Sequence, residues 1–188
     1  LLSNAALLSG FCVFLFYLYN ADKRQIPVLL VIVQSVSSHK HIGDIESQPF
    51  IEAIRQISLE AGKENSLFIH VTLVPFLSGS DEHKSKPTQH SVKELQGMGV
   101  APNIIVLRCD EPLEESIFKK ISLFCNVKTD CVIENITLSN LYEAPLMLEK
   151  SNFSSVVCRE LGIDAPESNL NEWKAMVERI KARTHHVD

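Results

Sequence analysis

Two short segments of the chain combine residue types that bind a nucleotide. The loop Lys84-Ser85-Lys86-Pro87-Thr88-Gln89 has lysines one residue apart, a proline that stiffens the turn, and Thr and Gln as hydrogen-bond donors. The upstream segment Gly43–Phe50 carries Asp44 and Glu46, whose carboxylates can accept hydrogen bonds from a sugar or a base edge. Together they predict a polyphosphate site beside a carboxylate site, the arrangement of a nucleotide pocket.

The composition restricts how such a site can work. With 188 residues, 45% of them hydrophobic and 22% charged, the chain is typical of one globular domain with a sizeable core. The formal net charge of −5 argues against a nucleic-acid binder. Phosphate recognition must therefore depend on local lysines rather than on a basic surface.

The cysteines indicate a reducing compartment. Their number is odd, and they form neither a C-x-x-C pair nor a zinc-site spacing. We therefore expect reduced thiols in a cytoplasmic protein. The cysteines are Cys12, Cys109, Cys125, Cys131 and Cys158.

Residues 1–41 differ in composition from the remainder and contain a single acidic residue, Asp22. Ala5–Tyr19 is apolar and aromatic, but it is shorter than the roughly 20 residues of a membrane-spanning helix. It also lacks the basic flank of a secretory signal. We interpret 1–41 as a divergent hydrophobic segment and leave two explanations open, a membrane anchor or an artefact of the gene model. Pro27–Val33 is typical of a buried parallel strand.

From residue 43 onward, strand and helix patterns alternate, which predicts a mostly parallel, twisted α/β sheet with flanking helices. Further strands are predicted at Leu67–Val74, Asn103–Leu107 and Cys131–Ile133. Helices are predicted in six places: after a Ser47 cap with Phe50, Ile51, Ile54 and Ile57 inward, after a Thr88 or Ser91 cap up to Gly99, and over Leu113–Phe124, Leu138–Glu149, Ser154–Leu161 and Asn169–Arg183.

This order places the candidate residues at one edge of the sheet. The polar stretch Ser78–Gln89 is predicted as a loop between a strand and a helix, at the carboxyl edge where such sheets bind ligands. The N-terminus of the following helix adds amides that favour an anion. Lys120 borders an apolar helical stripe and can supply a third positive charge. The spacing of Phe124 favours the core over a base-stacking role.

The motifs, taken in order, resemble the N-terminal synthetase (amidoligase) domain of the CTP synthase family, from about Ile42 to the C-terminus. The resemblance rests on the following segments: Gly43–Gln56, His70–Pro75, Lys84–Leu95, Lys120–Val127 and Leu141–Leu146. It implies a three-layer sandwich like that of P-loop NTPases, incomplete at its N-terminus.

The family makes CTP from UTP, ATP and glutamine. ATP phosphorylates the uracil 4-oxygen, and ammonia from a glutaminase domain displaces the phosphate. The resemblance implies ATP and Mg²⁺ as cofactors, and a homo-oligomer, a tetramer in the family. It also implies the following site residues: for UTP and CTP, Asp44, Ile45, Glu46, Lys84, Ser85, Lys86, Pro87, Thr88, Gln89, Lys120 and Phe124; for the adenine of ATP, Ile136, Thr137 and Leu138.

The chain departs from the family at the ATP and magnesium half of the site. No G-x-x-x-x-G-K-[ST] motif occurs in it, and Ser37 stands where the family has a magnesium-binding glutamate. We therefore divide it into residues 1–41, a partial synthetase domain over 42–165, and a C-terminal helix over 166–188 that leads to the interdomain linker, with the glutaminase domain absent. A fragment that is inactive alone is expected, and its catalytic residues are not identified. The alternative is a non-enzymatic pyrimidine-nucleotide-binding or oligomer-interacting protein, tethered to a membrane by its N-terminus.

Overall fold

The computed structural model of the chain describes the backbone of residues 3–8, 11–18 and 28–35, and the backbone and side chains of residues 45 and 47–183. Eight strands are present in the described parts. They are β1 (Ser3–Leu8), β2 (Phe11–Leu18), β3 (Val28–Ser35), β4 (Ser66–Leu73), β5 (Phe76–Leu77), β6 (Glu82–His83), β7 (Ile104–Cys109) and β8 (Val132–Ile136).

The main sheet has the strand order β1-β2-β3-β4-β7-β8. The pairs β3–β4, β4–β7 and β7–β8 are parallel, whereas β1 and β2 form an antiparallel hairpin that joins the edge of β3. The predicted strand at Pro27–Val33 is confirmed by β3. Within the described parts of the chain, no helix has the length and apolar character needed to cross a membrane.

The described residues also form six α-helices and three short 3-10 turns, and the last three of the helices follow the final strand. The helices are α1 (Gln48–Ala61), α2 (Lys86–Gly97), α3 (Glu115–Cys125), α4 (Ala144–Glu149), α5 (Phe153–Glu160) and α6 (Asn171–Lys181). The 3-10 turns are Lys63–Asn65, Thr129–Cys131 and Leu141–Glu143. The predicted α/β class, a parallel sheet flanked by helices, is confirmed.

Alternating side chains of the parallel strands supply a core on each face of the sheet. On one face, Ile69 of β4 and Val106 of β7 pack with Val156 of α5. On the other face, Ile105 and Leu107 of β7 pack with residues of α2 and α3 such as Val92 and Ile121. The sheet is therefore the middle layer of a three-layer sandwich, with α2 and α3 on the face that carries the candidate loop.

The buried face of helix α1 differs in part from the predicted amphipathic pattern. Ile51 and Ile54 are buried, but Phe50 and Ile57 of the predicted inward face are exposed. Ser47 precedes the helix as predicted, yet its side chain makes no capping hydrogen bond to it. The buried stripe is thus narrower than the sequence indicated.

The predicted Ser78–Gln89 loop is confirmed at its start, where Ser78–Asp81 form a turn, but it is wrong in two places. Glu82–His83 form β6 and pair with β5, which precedes the loop, and the residues from Lys86 onward are the first turn of α2. The N-cap residue is Ser85, not Thr88 or Ser91. Pro87 explains the early start, because its fixed φ and missing N–H suit the first turn of a helix.

Two later elements also differ from prediction. The buried stripe of α3 is Ile117, Ile121 and Cys125, so Phe124, about 100° around the helix from Cys125, is 53% exposed and not in the core. The predicted helix at Leu138–Glu149 is shorter and begins with a 3-10 turn, where the Asn140 side chain accepts a hydrogen bond from the Tyr142 amide.

We predict opposite stability changes for two glycines at the end of α2. Gly99 has φ +83°, and a Cβ there would lie 2.9 Å from Cδ of Arg55, whereas Gly97 has no heavy atom within 4 Å of such a Cβ. Gly99→Ala should therefore lower the free energy of unfolding by more than about 1 kcal/mol, and Gly97→Ala should raise it by about 0.5 kcal/mol. Urea denaturation measures both. Equal changes for the two variants would contradict the assigned backbone conformation.

Candidate functional site

Two hydrogen bonds between side chains fix the start of α2 against β4. His70 Nε2 lies 2.9 Å from Ser91 Oγ, and Thr72 Oγ1 lies 3.0 Å from Thr88 Oγ1. His70 and Thr72 are two residues apart on one strand face, and Thr88 and Ser91 are three apart on one helix face. This matched spacing sets both the position and the rotation of the helix relative to the sheet.

Within the loop Lys84–Gln89, three of the predicted site side chains make internal contacts. Thr88 is fully buried, and its hydroxyl donates to the Leu73 carbonyl at 3.3 Å. Ser85 is also buried, and its hydroxyl accepts from Gln89 Nε2 at 3.0 Å. The side chains of Ser85, Thr88 and Gln89 therefore hold the loop in shape. The exposed groups are Lys86 and Pro87, beside first-turn amides that have no partner within a helix.

The β5–β6 hairpin positions Lys84. The Lys84 amide donates to the Pro75 carbonyl at 3.0 Å, which closes the hairpin directly before the helix. The rings of Phe76 and His83 pack edge to face across it, with centroids 5.0 Å apart. Lys84 Nζ donates to Glu82 Oε1. An anion at this site would therefore meet a lysine already oriented by a carboxylate.

Electrostatics connect Lys120 with this hairpin. The pKa of Glu82 is lowered, first by the hydrogen bond from Lys84 and then by one from Ser80, with a smaller contribution from the charge of Lys120. Lys120 of α3 thus lies close enough to act on the same rim. Among the described residues, the ammonium groups of Lys86 and Lys120 have no hydrogen-bond or ion-pair partner. Lys84 and Lys86 thus flank the N-terminus of α2, and Lys120 of α3 lies within electrostatic range of Glu82, the partner of Lys84.

The remaining pyrimidine-site residues lie at different places. Phe124 is one helical turn after Lys120, so its exposed ring lies on the same side of α3. Ile45 is 84% exposed and lies three residues before Gln48, the first residue of α1. Asp44 and Glu46 lie outside the described residues, as does Ser37.

The segment expected to contact adenine follows β8 at the carboxyl edge of the sheet. Ile136 ends this strand. The Thr137 amide donates to the Cys109 carbonyl at 2.8 Å, and its hydroxyl donates to Asp110 Oδ1 at 2.8 Å. Leu138 is half-buried. These bonds fix Ile136–Leu138 to the end of β7.

The described residues contain no metal-binding cluster of their own. Among residues 45 and 47–183, no group of three or more His, Cys, Asp or Glu side chains is arranged to hold a metal.

Thiolate chemistry is disfavoured at the buried cysteines. Burial raises the pKa of Cys109 to about 12, and those of Cys125 and Cys131 to about 11. The four cysteines with described side chains are free thiols.

Sequence reasoning missed the residues that support the site from below. His70 and Thr72 interrupt an otherwise apolar strand, and both are buried. Polar residues at alternate positions of a buried strand signal a hydrogen-bonded contact with the covering helix. Glu82 was missed as the partner of Lys84, because a hairpin was not predicted there.

Comparison with protein families places this geometry in context. Residues 21–163 match the family described as CTP synthase N-terminus. The chain belongs to the CTP synthase family. The sequence motifs start at about Ile42, but the family match begins further upstream, at residue 21, and therefore includes β3 of the sheet.

Individual CTP synthases are similar to most of the chain. The protein named CTP synthase from Ruminiclostridium cellulolyticum is 52% identical over 140 residues, which cover 74% of this chain and 26% of that protein. The one from Clostridium acetobutylicum is 51% identical over 146 residues, covering 78% of this chain and 27% of the relative. The one from Halalkalibacterium halodurans is 49% identical over 140 residues. The aligned region thus spans about a quarter of these curated CTP synthases.

We predict that the pKa of Glu82 reports the cation cluster. Lys84→Ala should raise this pKa toward its ordinary value because the main stabilising hydrogen bond is lost, and Lys120→Ala should raise it by a smaller amount. Carbon-13 NMR titration of the side-chain carboxyl measures both.

The matched control is Lys93→Ala, which removes an exposed charge from the middle of α2. It should leave the Glu82 pKa unchanged. If Lys120→Ala has no more effect than Lys93→Ala, Lys120 does not belong to the cluster.

Proposed function

We propose that this chain provides the pyrimidine-nucleotide half of a CTP synthase active site. The observation that supports the proposal is the position of Lys84 and Lys86 at the N-terminus of α2, with Lys120 of α3 within electrostatic range of Glu82, the partner of Lys84. A helix N-terminus and several lysines favour the binding of a polyphosphate, because the free amides and the ammonium groups interact favourably with its negative charges. In this proposal the triphosphate of UTP or CTP lies against this cluster.

The supporting residues explain why the cluster can be rigid without a ligand. Three like charges repel, and an unsupported loop would separate them. Here Thr88 and Ser85 are buried, and Glu82 partly neutralises Lys84. A phosphate arriving at the rim would replace the missing negative charge around Lys86 and Lys120. Preorganisation of this kind lowers the cost of ordering the site on binding.

The other roles follow from family membership as further parts of the proposal. Phe124 supplies a ring near the pyrimidine base, and Asp44, Ile45 and Glu46 contact the nucleotide from the segment before α1. Ile136, Thr137 and Leu138 border the adenine of ATP. Thr137 already contacts Asp110, so this segment is held at the carboxyl edge of the sheet.

The complete reaction needs groups beyond those described. We propose that the whole enzyme, in the cytoplasm and as a homo-oligomer, uses ATP with Mg²⁺ to activate the uracil 4-oxygen of UTP for displacement by ammonia from a glutaminase domain. Phosphoryl transfer depends on a phosphate cradle and on neutralising cations. This chain has no P-loop motif, and its described residues form no magnesium site. The role of this chain in the reaction is to bind and orient the pyrimidine nucleotide.

The 188-residue chain assayed alone should therefore form no CTP from UTP, ATP and ammonia. The reason is the missing cradle for the transferred phosphate. Chromatographic detection of CTP over many hours checks this, with a complete CTP synthase as the positive control. Measurable CTP formation by the chain alone would contradict the proposal that it binds the pyrimidine nucleotide but lacks the groups for phosphoryl transfer.

Nucleotide binding should survive the loss of turnover. CTP or UTP at about 100 times its dissociation constant should raise the melting temperature by roughly 5–10 °C. Lys86→Ala should abolish this shift, because Lys86 is the exposed, unpaired lysine of the first turn of α2.

Lys93→Ala is the matched control, since it removes the same charge from the same helix two turns further on. It should retain the full shift. A normal CTP response in Lys86→Ala would remove the loop from the site, and no response in the unmodified chain would reject nucleotide binding itself.

A further inference from the structure

A cleft of about 340 Å³ lies between α6 and the 3-10 turn Leu141–Glu143, away from the residues assigned above. It is lined by Tyr142, Met176, Arg179, Ile180 and Arg183. Two hydrogen bonds join the two elements that line it. Trp173 Nε1 donates to the Tyr142 carbonyl at 2.7 Å, and Lys181 Nζ donates to Glu143 Oε2 at 2.6 Å. The cleft is thus preformed and belongs to a fixed contact between helix and turn.

The charges in this cleft lack counterparts. Arg179 lies in the last turn of α6 and Arg183 lies two residues beyond its end, and both line the cleft. Within the part of the chain that the structure describes, neither guanidinium makes a hydrogen bond or an ion pair. Other cations are paired: Arg159 with Asp130, and Lys181 with Glu143. Like charges that line one cleft repel. An anion between the two arginines would remove the repulsion and satisfy their donors.

The rest of the lining is apolar and includes a flat ring. Tyr142 presents an aromatic surface, and Met176 and Ile180 add thioether and aliphatic surface. Guanidinium groups bind phosphate and carboxylate through paired hydrogen bonds, while Tyr and Met surfaces accept a planar ring. A volume near 340 Å³ is at the small end of the range for ligand pockets, which suits a compact molecule.

We propose that this cleft binds a small organic anion in which a phosphate or carboxylate is joined to a planar ring. The acid would lie between Arg179 and Arg183, and the ring would lie against Tyr142. The site shares no residue with the loop Lys84–Gln89 or with Ile136–Leu138, so it does not depend on the function proposed above.

The chain contains its own reporter for this site. Trp173 is the only tryptophan, and its ring centroid lies 6.4 Å from that of Tyr142. Tryptophan fluorescence excited at the red edge of its absorption should therefore change saturably when AMP or benzoate is titrated. Adenosine lacks the anion and inorganic phosphate lacks the ring, so each should bind at least about tenfold more weakly than AMP.

Variants separate this site from adventitious binding. Arg179→Ala combined with Arg183→Ala should weaken the tighter of AMP and benzoate at least about tenfold. Arg179→Lys with Arg183→Lys keeps the charge but loses the paired geometry, so it should also bind more weakly. Lys174→Ala removes an exposed charge of α6 outside the cleft and should bind like the unmodified chain.

Circular dichroism establishes that each variant is folded. The proposal is overturned if neither AMP nor benzoate gives a saturable fluorescence change. It is also overturned if adenosine or inorganic phosphate binds as tightly as AMP, or if both arginine double variants bind as tightly as the unmodified chain.

Discussion

The hydrogen bond between the buried hydroxyls of Thr72 and Thr88 is the constraint on which the candidate site depends. It joins the carboxyl end of β4 to the first turn of α2, and Thr88 also donates to the Leu73 carbonyl. An unpaired hydroxyl in this position would cost about 1–3 kcal/mol, so neither partner can be lost cheaply. With the helix start fixed, the direction of its free amides and the location of Lys86 are fixed too.

The other parts of the site are arranged around this fixed point. His70 and Ser91 add a second contact further along the same strand and helix, which prevents rotation of α2. The β5–β6 hairpin places Lys84 directly before the helix, and α3 brings Lys120 within electrostatic reach of Glu82. The hydrogen bonds that bury the polar side chains of the loop thus also leave its lysines exposed at the rim of the site.

Much of the fold could be predicted from the sequence because its strands are apolar, β-branched runs. The strand patterns near Val28, Leu67, Ile104 and Val132 all correspond to strands of the sheet. The alternation of these runs with helical patterns was sufficient to give the parallel sheet and the edge where the loop lies. The order of the motifs was sufficient to give the family, which the match over residues 21–163 confirms.

The predictions that differ from the structure concern single residues whose type or spacing suits more than one structural role. Pro87 was interpreted as a turn residue, but its fixed φ equally suits a helix start. The predicted role of Thr88 in nucleotide binding stays a prediction, but no local pattern reveals that its hydroxyl is hydrogen-bonded to Thr72, sixteen residues earlier. Phe124 has the spacing of a core residue, but Cys125 occupies the buried position. The most direct test of the whole account is an amide NMR titration of the chain with CTP. The account predicts saturable shifts of the amides of Lys86, Thr88 and Gln89, together with those around Lys120. Shifts confined to other parts of the chain would contradict it.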